Sequence, residues 1–283
     1  MHLEKTVLVI TSEYYPIPAA AASRTIPLVS ELRKFYSKVL VLTSNDAFEQ
    51  KNHVEKSFFS VPDNRCNIFH RFLQELLLGL DLGLRIWLKR NVHLCIITSP
   101  PFFMACCCAF FAKVSRKEYI FDVRDRYPRV LYDLGVLKKK SFIYKILKGL
   151  ESWIYRGACI VSTVTEGLHN DLINEFPKIK FSLLKNGFDE ETFSKKLTET
   201  KKLSNFTIVY HGRLGRFYDT NAYLEIIEKV QSLDSDIRFL LIGNLPTRLH
   251  SLTCHNVRIL PAMSLEDLSH RISACHLGLC LLK

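Results

Sequence analysis

A segment rich in glycine and arginine, His211-Gly212-Arg213-Leu214-Gly215-Arg216, follows an apolar run at 206–210. Its two glycines let the backbone come close to a ligand, and the helix predicted to follow offers free backbone N–H groups. Its two arginines can bind phosphate oxygens. The segment therefore predicts a diphosphate cradle formed by Gly212, Arg213, Gly215 and Arg216. A structural glycine turn with solvated arginines is the alternative.

A second charged segment, Asp122-Val123-Arg124-Asp125-Arg126, closes an apolar run at 118–123. Two carboxylates and two arginines within five residues are costly unless they pair, so a structural ion-pair cluster would account for them. The segment also follows a predicted strand, and ligands of open parallel sheets bind at the carboxyl ends of strands. This position favours a ligand site that includes Arg124 and Asp125.

Several common catalytic motifs are absent from the sequence. After the first apolar run the chain reads YYPIPAA at 14–20, where a dinucleotide-binding protein would carry G-x-G-x-x-G. The sequence also lacks G-x-x-x-x-G-K-[ST], H-E-x-x-H and G-x-S-x-G. These absences argue against a nicotinamide enzyme, a P-loop NTPase and an α/β-hydrolase.

The nine cysteines do not form a metal or redox motif, because no pair has C-x-x-C spacing. Cys106, Cys107 and Cys108 are consecutive and would point in three directions on a helix. Most of the cysteines lie in apolar runs, which predicts small buried side chains in a reducing compartment. We expect no metal and no cofactor.

Short apolar runs alternate with helical patterns along the whole chain of 283 residues. We predict strands at 6–11, 38–43, 92–98, 118–123, 158–163, 180–184, 206–211, 237–243, 257–260 and 276–282. Helices are predicted at 23–35, 69–88, 102–114, 141–155, 166–175, 220–233 and 264–274, with Ser23 as the cap of the first. Such alternation, with continuous Val, Ile and Leu strands, predicts an α/β fold with doubly wound parallel sheets.

A polar stretch at 189–204, DEETFSKKLTETKKLS, separates two series of strands and helices. It predicts a linker between a Rossmann-like domain at 1–188 and a second Rossmann-like domain at 205–283. Ligands would bind in a cleft at the carboxyl ends of the strands. The chain ends on LGLCLLK, an apolar strand pattern, so we expect an incomplete second domain or a partner chain that covers this edge.

The positive charge is concentrated in the first domain. Residues 1–185 hold 27 Lys and Arg against 17 Asp and Glu. An anionic lipid or membrane partner and ordinary solubilising charge both fit this excess, whereas no motif accompanies it that would indicate nucleic acid. The helix predicted at 141–155 is amphipathic and follows Lys138-Lys139-Lys140, which fits either membrane contact or packing on the sheet. No signal peptide or membrane span is recognisable, so we expect a cytoplasmic protein that is either free in the cytosol or peripheral at the inner face of the membrane.

The order of several blocks resembles glycosyltransferase family 4, the retaining enzymes of GT-B fold, and especially the branch that builds bacterial surface polysaccharides. The blocks are VLVITSEYYPIPAAAASR, ITSPPFF, FDVRDRYP, VSTVTEG, LLKNGFDEETF, YHGRLGR and FLLIGN. The resemblance implies that Pro16, Ser23 and Arg24 line the acceptor side and that Arg124 and Asp125 lie near the transferred sugar. It also implies that Arg213 and Arg216 contact the donor diphosphate.

The chain departs from the family pattern at three places. Alanines replace a glycine pair near Pro16, Tyr218 stands where many members have lysine, and no E-x7-E segment follows Lys283. The resemblance implies metal-independent transfer from a UDP- or GDP-sugar to a glycan or lipid-linked acceptor, weakened in this polypeptide. A nucleotide-sugar 2-epimerase and a non-catalytic remnant that binds a partner or membrane are the alternatives.

Overall fold

Two parallel sheets organise the chain. The structure is a computed structural model and describes residues 3–14, 20–46, 53–63, 66–187, 193, 200–214, 219–246, 249 and 256–281. The chain divides into two units, Met1–Gly187 and Phe188–Lys283. The predicted linker at 189–204 lies mostly outside the described residues.

The first unit contains a seven-stranded sheet with strand order β3-β2-β1-β4-β5-β6-β7, in which every neighbouring pair is parallel. The central strands are almost continuously apolar, as expected for strands that are covered on both faces. The strands are β1 (Leu3–Ile10), β2 (Tyr36–Thr43), β3 (Val54–Lys56), β4 (Leu94–Ser99), β5 (Glu118–Val123), β6 (Ile160–Thr163) and β7 (Phe181–Leu183).

In the described part of the first unit, six helices connect these strands. They are α1 (Ala20–Phe35), α2 (Ile68–Leu88), α3 (Phe102–Val114), α4 (Arg129–Asp133), α5 (Phe142–Gly157) and α6 (Glu166–Glu175). Side-chain caps explain several starts, since Asn67, Ser141 and Thr165 each accept a hydrogen bond from a first-turn backbone N–H.

The predicted start of the first helix was wrong. Helix α1 begins at Ala20, so Ser23 lies inside it rather than at its cap, and Pro27 lies in its middle. Three consecutive alanines at 20–22 extend the helix toward the amino end, because alanine has the strongest intrinsic helix propensity. The extension outweighs the backbone hydrogen bond that Pro27 cannot donate.

Successive strand residues serve opposite faces of this sheet. Leu8 and Ile10 of β1 belong to a core with residues of α2, α3, α5 and α6. Val7 and Val9 belong to a separate core with Val29 of α1. Helix α1 therefore covers one face, and the larger set of helices covers the other.

Helix α2 buries the side that carries its two central glycines. Its buried residues are Glu75, Leu78, Gly79, Leu82, Gly83 and Ile86. Added Cβ atoms would lie 2.7 Å from the Cα of Met104 at Gly79 and 2.3 Å from the Phe111 ring at Gly83. The two glycines thus allow α3 to approach closely, and this contact decides which side faces the core.

The second unit contains a four-stranded parallel sheet with order β10-β9-β8-β11. Its elements are β8 (Thr207–Arg213), α7 (Thr220–Leu233), β9 (Arg238–Asn244), β10 (Val257–Leu260), α8 (Leu265–Ala274) and β11 (Leu277–Gly278). Ile208, Phe239 and Leu241 pack with Tyr223 and Ile227 of α7 on one face. Val209, Leu240 and Ile242 form a second cluster that Leu268 and Ile272 of α8 cover.

Among the helices that the structure describes, none has the combination of length and hydrophobicity that a membrane-crossing helix needs. The eight described cysteines are free thiols, and Cys95, Cys106, Cys108 and Cys275 are buried. Burial raises the pKa of the Cys95 thiol to about 12, so this thiol is protonated and unreactive at neutral pH.

Candidate functional site

The carboxyl ends of β4, β5 and β6 carry a cluster of polar side chains centred on Asp122. Asp122 is 1% exposed, and its carboxylate accepts hydrogen bonds from Nε and Nη2 of Arg24 at 2.9 and 2.7 Å. Ser162 lies directly opposite Asp122 in the β5–β6 register, and its hydroxyl group donates a hydrogen bond to Oδ1 of Asp122 at 2.6 Å. Three donors therefore satisfy a buried carboxylate, as burial of a charge requires.

Arg24 connects three parts of the first unit. Its side chain is 4% exposed and reaches from α1 to Asp122, and its Nη1 donates to Oδ1 of Asn186 at 2.9 Å, beyond the end of β7. The bidentate geometry with Asp122 is the strong form of an arginine–carboxylate pair. Arg24 thus holds α1 and the segment after β7 against the carboxyl edge of the sheet.

Arg124 lies next to this cluster and has a partly unused guanidinium. Its backbone N–H donates to the Ser99 carbonyl at 3.0 Å, and its Nη2 donates to the Pro100 carbonyl at 2.9 Å. Its Nε is buried and has no hydrogen-bond partner within the described part of the chain. A buried donor without a partner is costly, so this nitrogen is suited to a polar group of a ligand.

The charges around Arg124 keep it cationic. Burial lowers its pKa, and the carboxylates of Asp122, Asp125 and Glu13 oppose that shift. An arginine in such surroundings retains its proton at neutral pH. Partial burial raises the pKa of Asp125, and the positive charge of Arg124 opposes this rise. Asp125 is nevertheless exposed to solvent on one side. The guanidinium of Arg124 and the carboxyl group of Asp125 therefore lie next to each other at the edge of the site.

The neighbouring Arg126 belongs to a different, structural network. Its guanidinium is buried and forms ion pairs with Glu151 of α5, at 3.4 Å, and with Glu175 of α6. Lys148 also contacts both glutamates. The charged segment that we interpreted as one candidate site is thus divided. Asp122 and Arg126 have internal partners, whereas Arg124 and Asp125 remain available to a ligand.

The predicted acceptor-side residues differ in their surroundings. Arg24 is the buried residue described above, and Ser23 is exposed on α1. Pro16 lies outside the described residues. Their roles toward an acceptor stay predictions.

In the second unit, two glycines bring the carboxyl ends of β8 and β9 together. Gly212 and Gly243 are partners in the register, and both have positive φ, +133° and +124°. A Cβ on Gly243 would lie 2.1 Å from the Gly212 carbonyl oxygen, so no other residue fits there without displacing the backbone. The sequence indicated glycine freedom at Gly212 but did not identify Gly243 as its counterpart.

The helix that follows β8 differs in one respect from the expected anion site. Asp219 caps α7, and its Oδ1 accepts from the backbone N–H groups of Asn221 and Ala222 at 3.1 Å each. These first-turn amides are therefore occupied by a side chain rather than free for phosphate. Gly215, Arg216 and Tyr218 lie outside the described residues, as does the side chain of Arg213, so their contact with a diphosphate stays a prediction.

Within the described ranges, no three His, Cys, Asp or Glu side chains converge closely enough to hold a metal ion. The expectation of a reaction without metal stays a prediction. The residues that sequence reasoning missed are Asp122 as the partner of Arg24, together with Ser162 and Asn186. Their positions near the carboxyl ends of strands were a signal that the sequence offered. The pairing of Arg24 with Asp122 was not predictable from local patterns, because the two residues are 98 positions apart in the chain.

Comparison with known proteins identifies the fold. No protein-family model matches the chain, and no curated protein matches it. Anabaena HepE (Alr3699) in complex with UDP is similar, with TM-score 0.63 and 14% identity over 97% of this chain and 73% of that chain. The catalytic domain of Arabidopsis thaliana starch synthase IV bound to ADP and acarbose is similar with TM-score 0.61. The identity is 14% over 98% of this chain and 78% of that chain.

A glycosyltransferase from Rickettsia africae is also similar, with TM-score 0.60 and 13% identity over 97% of this chain and 72% of that chain. Similarity at such low identity shows the fold alone. The prediction of an α/β GT-B fold with parallel sheets is thereby confirmed. Membership of family 4 stays a prediction.

Proposed function

We propose that this protein is a glycosyltransferase that moves a sugar from a UDP- or GDP-sugar to a hydroxyl group of a lipid-linked or growing surface glycan, with retention. The observation that carries the proposal is the similarity of nearly the whole chain to structures that hold UDP or ADP. Fold alone does not fix function, so the side chains at the carboxyl edges must supply the chemistry.

The reaction requires stabilisation of a departing diphosphate. The bond between the anomeric carbon and the diphosphate breaks, the acceptor oxygen bonds to that carbon, and the acceptor proton passes to the departing diphosphate. Cations near the departing group stabilise the charge that develops on it, which is the largest contribution in many enzymes. We assign this role to Arg213 and Arg216, which follow Gly212 in the sequence.

Arg124 would contact the transferred sugar. Its unpartnered Nε and its position beside Asp125 provide one donor and one acceptor at the carboxyl edge of the first sheet. Sugar hydroxyl groups can use both. The proposed enzyme belongs to the surface-polysaccharide branch of family 4 and acts from the cytoplasmic side of the membrane, without a metal.

Two measurements test this proposal. A thermal-shift panel with UDP, GDP and ADP should raise the unfolding temperature by a few degrees for one diphosphate, because a ligand that binds only the folded state stabilises it. Arg216→Ala should abolish the shift. Absence of a shift with every nucleotide and nucleotide sugar would contradict the proposal.

Radiolabelled donor sugars then separate the reactions. Label should move to a polyprenyl-phosphate glycan acceptor, whereas release of an altered nucleotide sugar without acceptor would indicate an isomerase instead. The matched variants are Arg124→Met and Arg126→Met. Arg124→Met should lower transfer and leave stability near the wild type, while Arg126→Met should mainly destabilise, since Glu151 and Glu175 would lose their arginine partner and share Lys148 as their cation.

A further inference from the structure

Helix α2 presents an apolar stripe to solvent. Its exposed large side chains follow one another at helical spacing, and no charged residue lies among them. They are Ile68, Phe69, Leu73, Leu77, Leu80, Leu84, Trp87 and Leu88. From Phe69 to Leu88 the stripe is roughly 28 Å long at the usual rise of an α-helix. Exposed apolar surface of this extent indicates an interaction site.

The stripe cannot turn toward the core. Gly79 and Gly83 hold the opposite side of α2 against α3, and their contacts leave no space for a Cβ. The charged residues of α2 lie outside the stripe and pair within the helix. Arg71 binds Glu75 at 3.0 Å and Arg85 binds Asp81 at 3.2 Å. The orientation of α2 is therefore fixed by its own packing.

Two neighbouring helices extend this surface. Helix α3 packs against both α2 and α5 on the same side of the sheet. It exposes Phe110 and Val114, and the first turns of α5 expose Phe142, Ile143 and Ile146. We call these residues, together with the α2 stripe, the apolar face. The apolar pattern of α5 is divided, because Leu147 and Ile154 of the same helix pack in the core.

The exposed charges on the three helices of the apolar face are positive. Helices α2, α3 and α5 contain three carboxylates, and each is ion-paired: Glu75, Asp81 and Glu151. Glu75 and Glu151 are also buried. Lys113 and Lys145 are exposed on the helices, and three consecutive lysines, Lys138–Lys140, are exposed just before α5. An apolar surface with lysines and no free carboxylate complements an anionic lipid surface.

We propose that the apolar face docks on an anionic phospholipid bilayer, with α2 lying in the plane of the interface. A second copy of the chain is a poorer occupant, because it would bring the two sets of lysines together. The helices run opposite to the strands, so Phe69, Phe142 and Lys138–Lys140 lie toward the carboxyl edge that carries Arg124. Docking would present that edge to a lipid-linked molecule, although the proposal depends only on the surface and not on any activity.

Vesicle flotation of the full chain tests the proposal without nucleotide or substrate. Phosphatidylcholine vesicles that contain phosphatidylglycerol should bind the protein, and pure phosphatidylcholine vesicles should bind it much more weakly. The double variant Leu80→Ser with Leu84→Ser should bind the anionic vesicles at least about tenfold more weakly, because two apolar contacts with lipid are lost. The control is Leu233→Ser in α7 of the second unit, a leucine that is 78% exposed against 40% for Leu80 and 44% for Leu84, and it should bind as the wild type does.

Replacement of Lys138–Lys140 by glutamine should weaken binding on the order of a hundredfold and reduce its salt dependence, since each lysine near an anionic surface contributes about fivefold. Circular dichroism and thermal unfolding establish that these variants fold. If a variant does not fold, Trp87 fluorescence in the Trp153→Phe protein gives an independent readout. Anionic vesicles should shift its emission to the blue, and brominated lipid should quench it.

Three results would overturn the proposal. They are failure of the wild type to float with anionic vesicles, equal flotation of the double leucine variant, and Trp87 emission that vesicles do not change. Sedimentation velocity adds a fourth: a stable dimer that the double leucine variant dissociates would show that a second copy covers the apolar face.

Discussion

The ion pair between Arg24 and Asp122 gives the sharpest test of how burial controls electrostatics in this protein. Asp122→Asn keeps the shape of the side chain and removes its charge. The side chains of Arg24 and Asp122 are 4% and 2% exposed, so the substitution leaves an arginine buried without its counter-ion. Breaking one partner of a buried pair typically costs about 3–5 kcal/mol of unfolding free energy.

The chain supplies a matched control at a nearly identical distance. Lys34 and Glu31 form an ion pair at 2.6 Å, against 2.7 Å for Arg24 and Asp122, but their side chains are 62% and 61% exposed. Solvent screens such a pair, and Glu31→Gln should change the unfolding free energy by at most a few tenths of a kcal/mol. The two substitutions therefore differ in burial and hardly at all in distance.

Urea denaturation gives the two free energies, and hydrogen exchange of the β5 amides assigns the change to the first unit, because two units need not unfold together. The double variant Arg24→Gln with Asp122→Asn removes both charges and should lose less than the sum of the single variants. If Asp122→Asn costs no more than Glu31→Gln, the pair is not desolvated as the structure indicates, and the reasoning fails.

Four further substitutions have defined outcomes. Gly83→Ala should destabilise the protein by about 1–3 kcal/mol, because the new methyl group meets the Phe111 ring of α3. Gly149→Ala has open space around its Cβ and should stabilise α5 by about 0.5–1 kcal/mol. Thermal unfolding of the two variants separates the steric contact at Gly83 from the higher helix propensity of alanine. Burial raises the pKa of Glu75, so the folded state holds that proton more tightly than the unfolded state. The stability of the wild type relative to Glu75→Gln should therefore rise as the pH falls from neutral toward the ordinary glutamate pKa, and a flat difference between urea midpoints would contradict this sign. Gly243→Ala should abolish the thermal shift caused by a nucleoside diphosphate, and an unchanged shift would separate the glycine pair from donor binding.

Local patterns in the sequence predicted most of the secondary structure. The elements Phe102–Val114, Glu118–Val123 and Thr220–Leu233 have the predicted bounds, because apolar periodicity and capping residues act over a few neighbouring positions. The order of strands and helices likewise indicated parallel α/β sheets. Errors occurred where local signals competed, as at the start of α1, where alanine propensity outweighed the capping signal of Ser23.

The partners of the charged residues depended on contacts far apart in sequence. The pairing of Arg24 with Asp122 and Asn186, and of Arg126 with Glu151 and Glu175, follows from the strand order and from which helix crosses which strand. The exposed apolar stripe of α2 has the same origin. A periodic pattern shows that a helix has an apolar side, but only the close approach of α3 to Gly79 and Gly83 decides which side is buried.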